Sequence, residues 1–164
     1  MTEDSSSGEV VIRLFAGWAE SELWHDGPIP YEAARLDASL VTRLQEWANE
    51  HYRAYAEQGD SPTGTRDRLA HHGVALAQEV AQQLGDGFIV EVDDPTHPGR
   101  LRLRGDGRPA SPEAAAALRA RAINARARQE QLRKSAQDRT YYWTASSSTA
   151  GPAGADDGAE ARPE

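Results

Sequence analysis

The densest grouping of side chains able to do chemistry is Glu20-x-Glu22-x-x-His25-Asp26. Three carboxylates and an imidazole on one short stretch could exchange protons or hold a divalent cation. A small metal-dependent enzyme using Glu20, Glu22, His25 and Asp26 is therefore one reading. The spacing matches no catalytic or metal motif, however, and acidic loops are common in an acidic domain. The preferred expectation is a non-enzymatic protein with no catalytic residue, metal ligand or cofactor assigned. Asp93, Asp94 and His97 form a second cluster within DDPTHPG, where Asp and Pro are also the residues a turn requires. His71 and His72 are adjacent and lack the i, i+4 spacing that aims two imidazoles at one metal. His51 falls on the apolar arc of a helix, where a hydrogen-bonded core role is expected. Gly85-Asp86-Gly87 follows a helix and precedes a strand, the reverse of a phosphate-binding loop. The chain has no cysteine, which excludes disulfides, thiolate nucleophiles and zinc–thiolate sites from it.

Aromatic and arginine side chains offer a different chemistry, that of contact. Trp18, Trp24 and Tyr31 lie in one loop-like stretch, and Arg119, Arg126 and Arg133 border a helix further on. Tyr141, Tyr142 and Trp143 stand just before a low-complexity tail. Trp, Tyr and Arg dominate interface energetics, so these positions, Trp143 included, are the expected partner-binding residues. The expected partner is an unidentified protein. Nucleic acid is the weaker alternative, through the basic segment 100–139, and no membrane is expected.

Charge supports the same division. Of the 18 basic residues only Lys134 is a lysine, a bias typical of GC-rich coding. Residues 1–99 carry 6 Arg against 18 Asp/Glu, net −12. Residues 100–140 carry 11 Arg/Lys against 4 Asp/Glu, net +7, and residues 141–164 are at −3. An acidic body is followed by a basic segment and an acidic tail. A phosphate backbone would be repelled by that body, which disfavours the nucleic-acid reading. No apolar run approaches the roughly 20 residues that span a bilayer. The first residues, MTEDSSSGE, are acidic and polar, unlike a signal peptide, so a cytoplasmic location is expected.

The elements that must position these residues can be read from periodicity. Glu9–Phe15 reads as a strand apolar on both faces, hence central or covered twice. Ala16–Arg35 carries two Trp and two Pro and is expected to be a loop pinned by Trp18 and Trp24. From Asp37 to Glu57, Leu40, Val41, Leu44, Trp47, Ala48, Tyr52 and Tyr55 share one helical arc. Asp37 or Ser39 is suited to cap it and Gly59 to end it. A second helix from about Thr65 to Leu84 places Gly73 in its apolar seam, where close approach of the first helix is expected. Phe88–Asp94 and Arg100–Arg104 read as an antiparallel hairpin, with Leu101 and Leu103 inward. The predicted fold class is α+β: a small antiparallel-containing sheet, β-αα-ββ, covered by a helix hairpin. Ser111-Pro112-Glu113 opens a basic Ala/Arg helix to about Arg139, with a narrow seam of Ala114, Leu118, Ala125 and Leu132. The expected divisions are a disordered lead-in (1–8), an acidic α+β domain (9–105), the basic helix (111–139) and a disordered tail (144–164).

Between Ile12 and Val92 the chain resembles small uncharacterised α+β proteins of high-GC, actinobacterial-type bacteria. The shared features are the opening strand, the Trp loop from Ser21 to Gly27, and a helix carrying Ser39 and Val41 through Trp47 and Ala48. Gly73 and the Leu84–Val92 stretch complete the set. The resemblance covers about half of the chain and implies the α+β domain; it implies no activity.

Overall fold

The structure is a computed structural model that describes residues 8–17, 21–56 and 63–147, with Thr63 and 138–147 described by backbone alone. It divides into two compact units, Met1–Ala125 and Arg126–Glu164. The first contains β1 (Val10–Leu14), β2 (Leu23–Trp24), α1 (Tyr31–Ala34), α2 (Ala38–Ala56), α3 (Thr63–Leu84), β3 (Phe88–Asp93) and β4 (Arg100–Leu103). It also holds the opening turns of α4, a helix over Pro112–Ser147 whose remainder is the described part of the second unit.

The fold is α+β, with four strands in the order β2-β1-β3-β4. β1 pairs in parallel with β3, from Val10↔Phe88 to Leu14↔Val92, while β2 and β4 flank them antiparallel. β1 is thus central, as its two apolar faces require. The parallel pair needs a long crossover, and α2 with α3 supplies it. Val10, Ile12, Leu14, Phe88, Val90 and Val92 form the core with Leu40, Leu44, Trp47, Leu69, Leu76, Val80 and Leu84.

α2 and α3 run antiparallel, tied by a ladder of contacts along their length. Asp37 and Gln83 exchange two hydrogen bonds at 3.0 and 2.8 Å. Arg43 grips Glu79 through both terminal guanidinium nitrogens at 2.6 and 2.5 Å, and this guanidinium holds the Glu79 carboxyl below its usual range. Trp47 lies against Gly73, and Arg68 meets Glu50 at 3.3 Å. The Arg43–Glu79 pair is half-exposed, so it contributes about 1 kcal/mol or less. The Trp47 contact is of another kind. Its indole N–H donates to the Leu69 carbonyl at 2.8 Å, and a Cβ built on Gly73 would stand 2.7 Å from its Cζ2. The close approach expected of Gly73 is what the helices require.

Several expectations are corrected. Leu23–Trp24 is a strand, so the sheet has four strands rather than three. Asp26 and Gly27, both at positive φ, reverse the chain, and Trp24 bridges Pro28. α1 is a single turn that begins after Pro30, where proline is tolerated. The Asp37 side chain is engaged by Gln83 and does not cap α2. Tyr55, expected on the buried arc, is 60% exposed. Ala114, Ala115, Leu118 and Ala122 of α4 lie in the core, so the acidic unit extends to Ala125 and does not close at Gly105. The Ser111 hydroxyl does cap α4, accepting from the Ala114 N–H at 3.4 Å. α4 runs through Ser147. Gly59, the lead-in to residue 7 and residues 148–164 lie outside the described residues.

Gly73→Ala would ordinarily raise helix propensity by about 1 kcal/mol. Here the added methyl meets an indole wedged on its other side, and a net loss of about 1–3 kcal/mol is expected in urea unfolding. A variant as stable as the parent would show that the helices can part without cost.

Candidate functional site

The Trp-bearing stretch is built into the domain. The Trp24 ring stacks on Phe15 at 5.2 Å between centroids, with 29° between planes. The Tyr31 hydroxyl donates to the buried Glu22 carboxylate. Burial first, and then that carboxylate, push the Tyr31 phenol well above its ordinary value, so it stays protonated and keeps donating. His25 places Nδ1 2.9 Å from the Val11 carbonyl, and Asp26 occupies the left-handed turn. Three members of the acid–histidine cluster therefore serve the fold: Glu22 holds α1, His25 holds β1, and Asp26 turns the chain. Glu20 and Trp18 lie outside the described residues. Among the described residues no three His, Asp or Glu side chains are placed to hold one metal ion.

The basic segment is also partly committed. Arg102 and Arg100 approach Glu91 at 3.5 and 3.9 Å, Arg13 donates to it at 3.3 Å, and Arg104 grips Glu9. Register explains the first cluster, because Arg13, Glu91 and Arg102 are directly opposed across three strands. Of the expected contact residues, Arg119 donates to the Asp86 carbonyl at 2.8 Å and lies 5.1 Å over the Phe88 ring. Neighbouring Arg121 donates to the Pro28 carbonyl at 2.9 Å. Both arginines therefore anchor the start of α4. Arg126 and Arg133 belong to the second unit, where they are exposed. Trp143 lies on α4, with its side chain outside the described part.

Two features stand out, and the first of them, Leu132, was already placed in the seam of α4 by the sequence. Leu132 is 70% exposed. It stands two heptads from Leu118 and one from Ala125, so it occupies the same stripe of α4 on which both of those are buried. The second feature is a cavity of about 400 Å³ at the carboxyl ends of β1 and β3, bounded by α2 and α3. His51 lines it. Its ring meets Trp47 edge-on at 4.8 Å, and its Nε2 is buried with no hydrogen-bond partner among the described residues. Burial lowers the His51 pKa below its ordinary 6.5, opposed by the weaker pull of Glu50. The expected hydrogen-bonded core histidine thus stands edge-on to Trp47, with its Nε2 unpartnered among the described residues. Neither family models, nor curated proteins, nor solved structures match the chain, so the functional reading rests on its geometry.

Two outcomes are expected. Tyr31→Phe leaves the buried Glu22 carboxylate short of a donor, and a loss of about 1–3 kcal/mol in urea unfolding checks this. His51 binds its proton less readily folded than unfolded, so its contribution is complete above pH 6.5 and is lost as pH falls through the lower folded value. The stability difference between parent and His51→Gln should narrow below pH 6.5; a difference constant from about pH 7.5 to about pH 4.5 would contradict the assignment.

Proposed function

We propose that the protein is a non-enzymatic binding protein, an accessory or adaptor that engages a partner protein through the distal part of α4. The carrying observation is the exposure of Leu132 on the stripe that buries Leu118 and Ala125 in the acidic unit. A large apolar side chain exposed on a helix among charged neighbours asks for a complementary surface. Residues 126–139 hold five Arg/Lys and two Asp/Glu, net +3. Leu132 stands directly beside Arg133 and Lys134, both exposed. The partner that fits is a protein offering an amphipathic helix with acidic flanks, its apolar side on Leu132 and its carboxylates on the arginines.

The Trp loop contributes to this reading only indirectly. Trp24 and Tyr31 are spent on internal contacts, as are Arg119 and Arg121, so the proposed surface narrows to Arg126, Arg133 and their neighbours. The nucleic-acid alternative is weakened by the carboxylates that meet Arg13, Arg100, Arg102 and Arg104. The metal-enzyme alternative is weakened by the structural tasks of Glu22 and His25. No helix among the described residues is long and apolar enough to cross a membrane.

A photo-reactive amino acid placed at Leu132 in the full chain tests the proposal, with exposed Arg66 on α3 as the control position. An acidic protein captured from 132 alone, and lost at high salt, is the expected result. Capture of a second copy of this chain would replace the partner by self-association. Identical products from both positions would overturn the reading. Arg133→Glu should weaken the captured complex about tenfold or more, since it sets like charges against each other.

A further inference from the structure

We propose that the outer edge of β4 is a docking site for an extended strand of a partner protein in which acidic and apolar residues alternate. Main-chain pairing holds the strand, and the arginines of β4 select it. This site is separate from the surface proposed on α4, and neither proposal depends on the other.

β4 is one of the two edges of the sheet, and β2 is the other. β2 is closed on its outer side, where Trp24 bridges Pro28 and the Ile29 N–H donates to the Leu23 carbonyl at 2.8 Å. β4 differs. The Asp94 N–H donates to the Gly99 carbonyl at 3.1 Å, in the same register that sets Val92 opposite Leu101 and Val90 opposite Leu103. Antiparallel ladders alternate, so Leu101 and Leu103 spend their main-chain groups on β3 while Arg100, Arg102 and Arg104 turn theirs outward. Arg104 shows that direction, since its carbonyl accepts from the Gln78 side-chain amide at 3.2 Å, outside the β3 ladder. The outward N–H and C=O groups of Arg100 and Arg102 meet no hydrogen-bond partner among the described residues. Such a row is a template for one more strand.

The side chains decide which strand. Leu101 and Leu103 lie partly buried against the core, and Arg100, Arg102 and Arg104 are exposed on the opposite face. β3 shows what suits that alternation: Glu91 stands opposite Arg102, Asp93 opposite Arg100, and Val92 and Val90 opposite the leucines. A strand on the outer edge meets the same alternation and fits it by the same chemistry, with carboxylates level with the arginines and apolar side chains level with the leucines. Arg102 is central to the open stretch. It is 58% exposed and stands 3.5 Å from Glu91, a carboxylate that Arg13 already holds at 3.3 Å, so most of its five donors remain to be met. A second copy of this chain is the poor occupant. Any register that keeps leucine level with leucine also sets arginine against arginine, and like charges directly opposite are destabilising. The arginines thus bar self-pairing and admit an acidic strand.

The experiment uses the full chain and a short capped peptide alternating valine with glutamate. Two comparison peptides carry glutamine or lysine in place of glutamate. Binding is followed by amide chemical shifts and amide hydrogen exchange. Saturable binding of the glutamate peptide is expected, with the Arg100 and Arg102 amides shifting most and exchanging about tenfold more slowly once the edge is filled. The Leu101 and Leu103 amides, already bonded to β3, should keep their exchange rates. The glutamine peptide should bind about fivefold more weakly, the size of two cross-strand charge pairs. Arg102→Gln should narrow that gap, with the melting temperature near that of the parent. Arg102→Pro removes an outward N–H while leaving the β3 ladder whole, and should abolish binding of both peptides. Undiminished binding by Arg102→Pro would overturn strand addition. Equal binding of the glutamate and glutamine peptides, or tighter binding of the lysine peptide, would overturn the acidic partner. Concentration-dependent shifts of the Arg100 and Arg102 amides in the protein alone would make a second copy the occupant and overturn it as well. Unmoved β4 amides up to millimolar peptide would remove the site altogether.

Discussion

The flat contact between Trp47 and Gly73 sets the distance between α2 and α3, and most of the molecule follows from that distance. An indole against a bare backbone lets two helices approach more closely than two side chains would allow. The indole N–H closes the contact by reaching the Leu69 carbonyl inside α3's own helical ladder. With the helices held so close, Leu40 and Leu44 from one and Leu76 and Val80 from the other project together onto Ile12, Leu14, Phe88 and Val90. The same wedge shapes the cavity, because Trp47 is at once the spacer between helices and a wall at the strand ends.

Electrostatics is organised around Glu91. Its side chain is 16% exposed, and Arg13, Arg100 and Arg102 all stand within ion-pair distance of it. One half-buried carboxylate can order several arginines, since each guanidinium is charged at any ordinary pH and loses little by sharing. The division of the chain into an acidic body and a basic segment is therefore not a division in space. Arg13, Arg100, Arg102 and Arg104 are drawn onto carboxylates of the strands and their flanks, and two more arginines, Arg119 and Arg121, end on backbone carbonyls. Beyond Ala125 the balance differs, and residues 126–139 carry a net charge of +3.

The elements with strong periodicity were legible in the sequence. The long arc of Leu40, Leu44 and Trp47, the alternation of Arg100 to Arg104 and the Ser111-Pro112 start of α4 each carried a local signal that agreed with the fold. Gly73 was legible because a glycine in an apolar seam weakens its own helix and gains only closeness to a neighbour. β2 was not, because two residues cannot display a period of two; its signal was the Asp26-Gly27 pair, which favours positive φ and a reversal. The burial of α4's first turns was hidden by alanine, which fits against a core as readily as in an exposed helix. The tasks of the loop's acid cluster were not legible either: Glu22 and His25 are chemically capable but are consumed by Tyr31 and by the Val11 carbonyl, partners that only the fold brings to them. The cavity could not be read at all, since its walls come from β1, α2, α3 and β3 and meet only through topology.

The parallel pairing of β1 with β3 also has a meaning in time. Ile12 and Val90 are sheet neighbours separated by the whole crossover, so the central strand has no partner on that side until the chain has been made through β3. The helical hairpin of α2 and α3 relies on contacts much nearer in sequence and can form first. On a ribosome, the helices would exist as a pair before the sheet closes, with β1 waiting against their apolar face. The arrival of Phe88 to Val92 then closes the central pair of strands, and the first turns of α4 complete the core. The short β3–β4 turn adds the last strand, and with it Arg102 reaches Glu91 only after the sheet beneath it is whole.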